Sequence, residues 1–238
     1  VFNGLRYVAR TGAPWRWMPH DLPPWAAVYQ QVQRAGWWRD ASRLWPRIWA
    51  RYCAWPRAQR AAERSQASCE AVPRTLDSRT LRSSPGSGTR AGYDGAKRKK
   101  GSKLHLAVDT LGHLLALHVM PASTDDRSAS AILAQAVQTS TGQSAKLAHD
   151  DQGYTDQKAA DDAKRQGIEL EVVKLVEAKR GFVLLPRRRA VEHSFAWATR
   201  FRQLVKHYGR YASTLADLHL ATSACPMLKQ NAQPAAGP

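Results

Sequence analysis

Two alternating runs stand almost back to back in this chain: KLHLAVDT at 103–110 and LLALHVM at 114–120. Apolar and polar positions alternate in both, the period of a strand with one face on a core. Only Leu111, Gly112 and His113 join them. A link that short, with a glycine in it, predicts an antiparallel hairpin. The hairpin fixes the neighbourhood of everything around it. RTLDSRTL (74–81) precedes it and reads as another strand. Helical patterns at 126–138, 155–166 and from 186 to about 206 then alternate with short strands at 145–149 and 168–175. Gly167 is placed to end the second helix as its C-cap. The order β, β, β, α, β, α, β, α predicts an α/β fold with a mixed sheet and helices on its faces. The Gly-, Ser- and Pro-rich stretch RSSPGSGTRAGYDGAKRKKGSK (82–103) reads as a loop with a basic cluster.

The N-terminal part has a different composition. Eight of the 9 tryptophans fall within the first 55 residues. Helices are expected at about 2–10, 24–35 and 40–53, with Pro23-Pro24 opening the second. This region is a small helical DNA-binding unit or a helical cap whose aromatics fill a core, and the pattern alone supports both. The expected organisation is a helical Trp-rich domain at 1–55, a linker at 56–73, an α/β domain at 74–212, and a C-terminal helix with a flexible tail at 213–238.

Lys and Arg number 36 against 19 Asp and Glu, a formal charge of +17, and the pI is near 10.4. That balance points to a polyanion partner. No run reaches the roughly 18–20 apolar residues of a membrane span. The apolar stretch at the N-terminus is short and broken by Arg6 and Arg10, unlike a secretion signal. Cys53, Cys69 and Cys225 lack zinc-ligand spacing and suggest no disulfide framework, which fits a reducing cytoplasm.

Three acids raise a chemical question. Asp77 lies inside the first strand, where a carboxylate needs an outlet from the core. Asp150 and Asp151 end the fourth strand, before a turn at Gly153. Glu192 sits early in the helix after Pro186, three and four residues before Phe195 and Ala196, so it is expected to point toward the apolar side. If the first and fourth strands are neighbours, these acids converge. Converging carboxylates select a hard divalent cation such as Mg²⁺ or Mn²⁺. On spacing alone, turn aspartates and helix caps are the competing explanation. Asp109 and Asp125-Asp126 are decoys of that kind, with Asp126 suited to a helix N-cap. His105, His113, His118 and His149 show no zinc spacing and read as structural or surface residues. Trp197 and Phe201, four apart, read as core packing.

Several segments together resemble the DDE transposases of bacterial insertion sequences. NGLRYVARTGAPWRWMPHDLPPWAAVYQQVQR is similar to the Trp-rich N-terminal domain of one branch. DSRTL with GYDGAKRKKGSKLHLAVDTLGHLLALHVMPASTDDR resembles its first catalytic block. DQGY and RRRAVEHSFAWATRFRQLVKHYGR resemble its second and third. The resemblance implies a ribonuclease H-like catalytic domain and two-metal-ion cleavage at terminal inverted repeats, followed by transfer of the 3′-hydroxyl ends to target DNA. It implies Asp77, Asp151 and Glu192 as the acids holding Mg²⁺, with Mn²⁺ as a substitute, and makes Asp150 the neighbour of a ligand. It implies a DNA-contacting role for Arg188, which shares a helical face with Glu192. Lys97, Arg98, Lys99, Lys100, Lys103 and Arg200 are further expected DNA contacts. A tyrosine and a lysine common in relatives are replaced here by Leu185 and Thr199. Double-stranded DNA as partner, a homodimer during transposition and a bacterial cytoplasmic, nucleoid-associated setting follow from the same resemblance. Relatives extend further before the position of Val1, so a truncated copy is also an expectation. The rival to an active enzyme is a catalytically inactive remnant that only binds DNA.

Overall fold

The computed structural model describes residues 1–34, 45–52, 54, 74–85, 91–150, 157–172, 186–209 and 211–232. The expected linker at 56–73, the start of the third helix, the far end of the 168–175 strand, Asp151 with its Gly-Tyr turn, Leu185 and the tail at 233–238 lie outside these residues. So do the side chains of Asp150 and Arg188.

The N-terminal region begins with α1 (Phe2–Thr11), a short 3₁₀ turn at Trp15–Trp17 that the pattern does not reveal, and α2 (Trp25–Arg34). As expected, Pro24 opens α2, its carbonyl taking the first amides at Ala27 and Val28. Helical residues 45–52 form α3. The strands are β1 (Arg74–Arg82), β2 (Gly92–Asp94), β3 (Lys99–Val108) and β4 (Leu114–Pro121), followed by α4 (Arg127–Thr141), β5 (Leu147–Asp150), α5 (Gln157–Arg165) and β6 (Glu169–Val172). Three helices close the chain: α6 (Pro186–Ala198), α7 (Arg202–Val205) and α8 (Ala212–Ala232).

Among the described residues, six strands make one sheet, in the order β2-β3-β1-β5-β6 with β4 also on β3. β1, β3 and β4 are antiparallel neighbours, while β5 runs parallel to β1 and β6 parallel to β5. The first and fourth expected strands therefore do lie side by side. Gly101 is required where β1, β2 and β3 meet, because a Cβ there would run into the Leu81 carbonyl.

Two expectations are corrected. Part of the stretch read as a loop is strand: β2 lies within 82–103, and β3 starts at Lys99. The long helix from Pro186 breaks after Ala198. Phe201 takes an extended backbone (φ −101, ψ 112), buries its ring and sets it 4.8 Å from that of Trp197. The preceding amides close with i→i+3 bonds, Arg200 to Trp197 and Phe201 to Ala198, the tightened end of a helix. Burying Phe201 outweighs one more helical turn.

The core takes in part of the Trp-rich region through α3. Trp45, Trp49 and Tyr52 join the same buried cluster as Leu76, Leu104 and Leu115. Trp45 additionally donates its Nε1–H to the Leu114 carbonyl at 3.1 Å. These aromatics fill a core. Trp17 is 73% exposed, so the region keeps surface aromatics too. α1 and α2 pack on each other, and their cluster reaches Ala221 of α8. α8 in turn lies against β4.

Candidate active site

The faces of the sheet decide which acids can meet. Lys103 Nζ bonds Asp126 Oδ1 at 2.9 Å, and His105 Nε2 lies 3.8 Å from the same oxygen. Asp126 sits at the N-terminus of α4, so the odd residues of β3 face α4. Their cross-strand partners Ser78 and Thr80 share that face, since directly opposed side chains stand together. Asp77 and Arg79, opposite Leu106 and Leu104, face the other way. Leu106 lines a cavity of about 410 Å³ with Ser194, Trp197, Ala198 and Arg200, so the Asp77 face is the face that α6 covers.

Asp77 is half-buried, and its Oδ1 accepts the Ser78 amide at 2.7 Å. β1 is held on both sides near it, by β3 and by β5, whose His149 stands in register with Thr75. Asp150 is the last residue of β5, its backbone paired with Val172.

Glu192 rides on α6. Val191 is fully buried and Phe195 nearly so, and these two fix the helix on the sheet. Glu192 flanks that stripe and is exposed, as is Ala196, which corrects the expectation that it points into the apolar side. A second anchor is polar. Ser194 Oγ–H donates to the Gly112 carbonyl at 2.7 Å, and the same oxygen stands 3.0 Å from the Ala190 carbonyl. Gly112, at φ +81, lies in the β3–β4 turn, and a Cβ there would press on Ser194 and Ala190. The helix carrying Glu192 thus rests on that turn.

The turn is itself braced. Asp109 Oδ1 accepts the amides of Leu111 (2.9 Å) and His113 (2.7 Å), and its Oδ2 bonds His113 Nδ1 at 3.0 Å. His113 Nε2 reaches Tyr52 Oη at 3.4 Å. Asp109 is therefore a turn aspartate, as its spacing suggested. Asp126 occupies the N-cap position but makes no capping bond; it neutralises Lys103 instead. Burial pulls the pKa of His105 down to about 4 and outweighs the pull of Asp126, so the ring is neutral and the 3.8 Å contact is no ion pair. His118 is lowered by burial as well.

The basic residues divide. Lys103 is buried, with Nζ on Asp126 and on the Thr124 carbonyl at 2.9 Å. That corrects its expected place among the DNA contacts, because its charge is already neutralised inside the protein. Lys97, Arg98 and Lys100 are exposed and Lys99 is half-buried, on the β2–β3 hairpin. Asp94 has its oxygens taken by Thr80 Oγ1 (2.6 Å) and the Lys97 amide (2.9 Å). Arg200 is exposed in the turn after α6. Arg82 and Tyr93 line the same groove as the hairpin cations, and sequence reading missed both. The signal was the strand reaching past 81.

Among the described residues, which do not include position 151, no group of three His, Cys, Asp or Glu could hold a metal ion. The donors that α6 and β1 do present are carboxylate oxygens, the type a hard divalent cation prefers. No helix among these residues is long and apolar enough to cross a membrane.

Family comparison matches residues 71–225 to the transposase DDE domain and residues 1–49 to a putative transposase of the IS4/5 family. No curated protein and no solved structure matches the chain.

Proposed function

The chain belongs to the DDE transposases of insertion sequences, with a ribonuclease H-like catalytic domain that acts on DNA, and from that premise we propose that it cuts phosphodiester bonds at the terminal inverted repeats of its own element and joins the freed 3′-hydroxyls to target DNA. Asp77, Asp151 and Glu192 are the acids of this reading, and two such chains act together on two ends.

One observation carries it: the parallel register of β1 and β5. His149 is level with Thr75 on the face that α6 covers. Asp150, the last residue of β5, follows His149 by one as Leu76 follows Thr75, so it is out of phase with Asp77; in sequence, Asp77 and Asp151 each come two positions after the paired residues. This supports Asp151 over Asp150 as the partner of Asp77. Glu192 comes from α6, the helix over the same face.

The three carboxylates would hold Mg²⁺, or Mn²⁺ in its place, and the cation supplies charge stabilisation and an activated water or hydroxyl at the phosphate. The rest belongs to the chain. Strand pairing on both sides of β1 holds Asp77 still. The Ser194–Gly112 bond and the buried pair Val191 and Phe195 set the position of Glu192. Arg188, one helical turn before Glu192, and Arg200 beyond it supply charge for the DNA backbone. A formal charge of +17 draws the duplex in before any specific contact forms.

The test is strand cleavage and joining on DNA carrying the gene's own flanking ends, with Mg²⁺, Mn²⁺ or chelator. Metal-dependent products from the native chain, absent in Asp77→Asn, Asp151→Asn and Glu192→Gln, are expected. Tight DNA binding with no product under any condition replaces this reading with that of a DNA-binding remnant.

A further inference from the structure

The cavity of about 410 Å³ that Leu106 lines is enclosed by the β3–β4 turn, α6 and α8. Its volume falls in the range of roughly 300–1,000 Å³ usual for small-molecule sites. Leu106, Leu114, Trp197 and Pro226 give it an apolar wall. Leu111 and Arg200, both exposed, mark its opening.

Two buried histidines also line it, His113 and His219, and they are satisfied differently. His113 has both ring nitrogens engaged, Nδ1 with Asp109 and Nε2 with Tyr52. His219 is only 3% exposed, and its Nδ1 lies 2.9 Å from the Leu215 carbonyl, one turn earlier in α8. A carbonyl can only accept, so Nδ1 carries the ring's hydrogen and donates it. Burial holds the pKa of this ring down to about 4, so Nε2 carries no second proton near neutral pH. Nε2 is then a bare acceptor, and among the described residues no hydrogen bond reaches it.

The helix around His219 is apolar, with Leu215, Leu220, Ala221 and Ala224 all buried. A buried acceptor without a donor costs stability. A leucine at this position would pack without that cost, so the histidine is explained by a donor that enters the cavity. Among the described residues no three His, Cys, Asp or Glu could hold a metal, so the lone pair is not part of a metal centre there. Ser194 and Gly112, whose hydrogen bond anchors α6, line the same cavity.

We propose that this cavity binds a small aromatic molecule that donates one N–H or O–H to His219 Nε2 and lays its ring against Leu106, Leu114, Trp197 and Pro226. The occupant lies against the Ser194–Gly112 anchor, and so beside the helix that presents Glu192. The site stands on the cavity and on His219, and does not depend on the transposase reading.

Isothermal titration calorimetry of the full chain with indole and with benzofuran tests this. The two bicycles match in shape, and only indole has an N–H. Indole is expected to bind the native chain about five- to tenfold more tightly, the worth of one hydrogen bond. In His219→Phe that preference is expected to vanish. Ser223→Trp, which fills the cavity from α8, is expected to abolish binding of both. No binding of indole by the native chain, or equal binding of the two bicycles, overturns the proposal without recourse to any variant. A preference for indole that survives in His219→Phe, with the thermal midpoint verifying the fold, overturns it as well.

Discussion

Asp109 and Glu192 are carried by elements that touch, yet their circumstances are opposite. Asp109 is buried in the β3–β4 turn, and three donors from two residues use its oxygens. Glu192 stands exposed on α6, one helical stripe away from the residues that bury that helix. The first carboxylate is part of a brace: it fixes His113, which reaches Tyr52, and it shapes the turn whose Gly112 carbonyl receives Ser194. The second is held in place by that brace but remains open to solvent. A structural acid turns its oxygens to protein donors, because a buried carboxylate left unpaired is costly. An acid that is to hold a cation has to keep oxygens accessible.

The comparison predicts a crossing of effects. Glu192→Gln should lower metal-dependent cleavage by about a hundred- to a thousand-fold, with the thermal midpoint little changed; a variant with full cleavage removes Glu192 from the working class. Asp109→Ala should do the reverse at the level of stability. Leaving buried donors unpaired costs about 3 kcal/mol, or roughly 6–12 °C in midpoint for a chain of this size, readable by calorimetry. An unshifted midpoint would mean that the turn does not need its brace.

The buried side can also be probed by pH. His105 and His219 are both pulled down to about 4, in each case chiefly by burial. Unfolded, a histidine takes up its proton near 6.5, whereas these two stay neutral in the folded chain until about 4. Below about pH 6.5 the unfolded state therefore binds more protons, and stability should decline as pH falls toward 4. Midpoints measured from pH 7.5 to 4.5 check this, and a flat profile contradicts neutral buried rings. The smallest effect belongs to Tyr52→Phe. It removes only the hydroxyl 3.4 Å from His113 and should cost about 1 kcal/mol in chemical denaturation. A loss several times larger would make Tyr52 the centre of the brace rather than its outer end.

Much of the fold was legible because strand alternation and turn residues are local signals. The hairpin at 103–120, the ends of α1 and α2, and the turn role of Asp109 all follow from short stretches. Gly167 ends α5 at φ 75, as its position after the polar helix suggested. The errors came where distant residues decide. Lys103 belongs to a basic cluster in sequence, but its strand face turns it onto Asp126. The expected helix through 206 is cut because Phe201 has a core to enter and a ring at Trp197 to meet. Asp126 reaches its cap position and then serves another partner, since a buried ammonium competes better for its oxygen than a cap does.

The sequence by itself determined which residues could alternate into strands, where the chain must turn, how much positive charge the molecule carries and, through its motifs, the family to which it belongs. Tertiary structure alone decided that β5 lies parallel beside β1 in the register that sets His149 level with Thr75, and that the third helix of the Trp-rich region enters the main core. It alone decided that Glu192 faces solvent while Asp109 does not. Local patterns record a residue's period and its turn propensity. Which face meets which neighbour is fixed only when the strands pair, because one position of register turns every side chain to the other side.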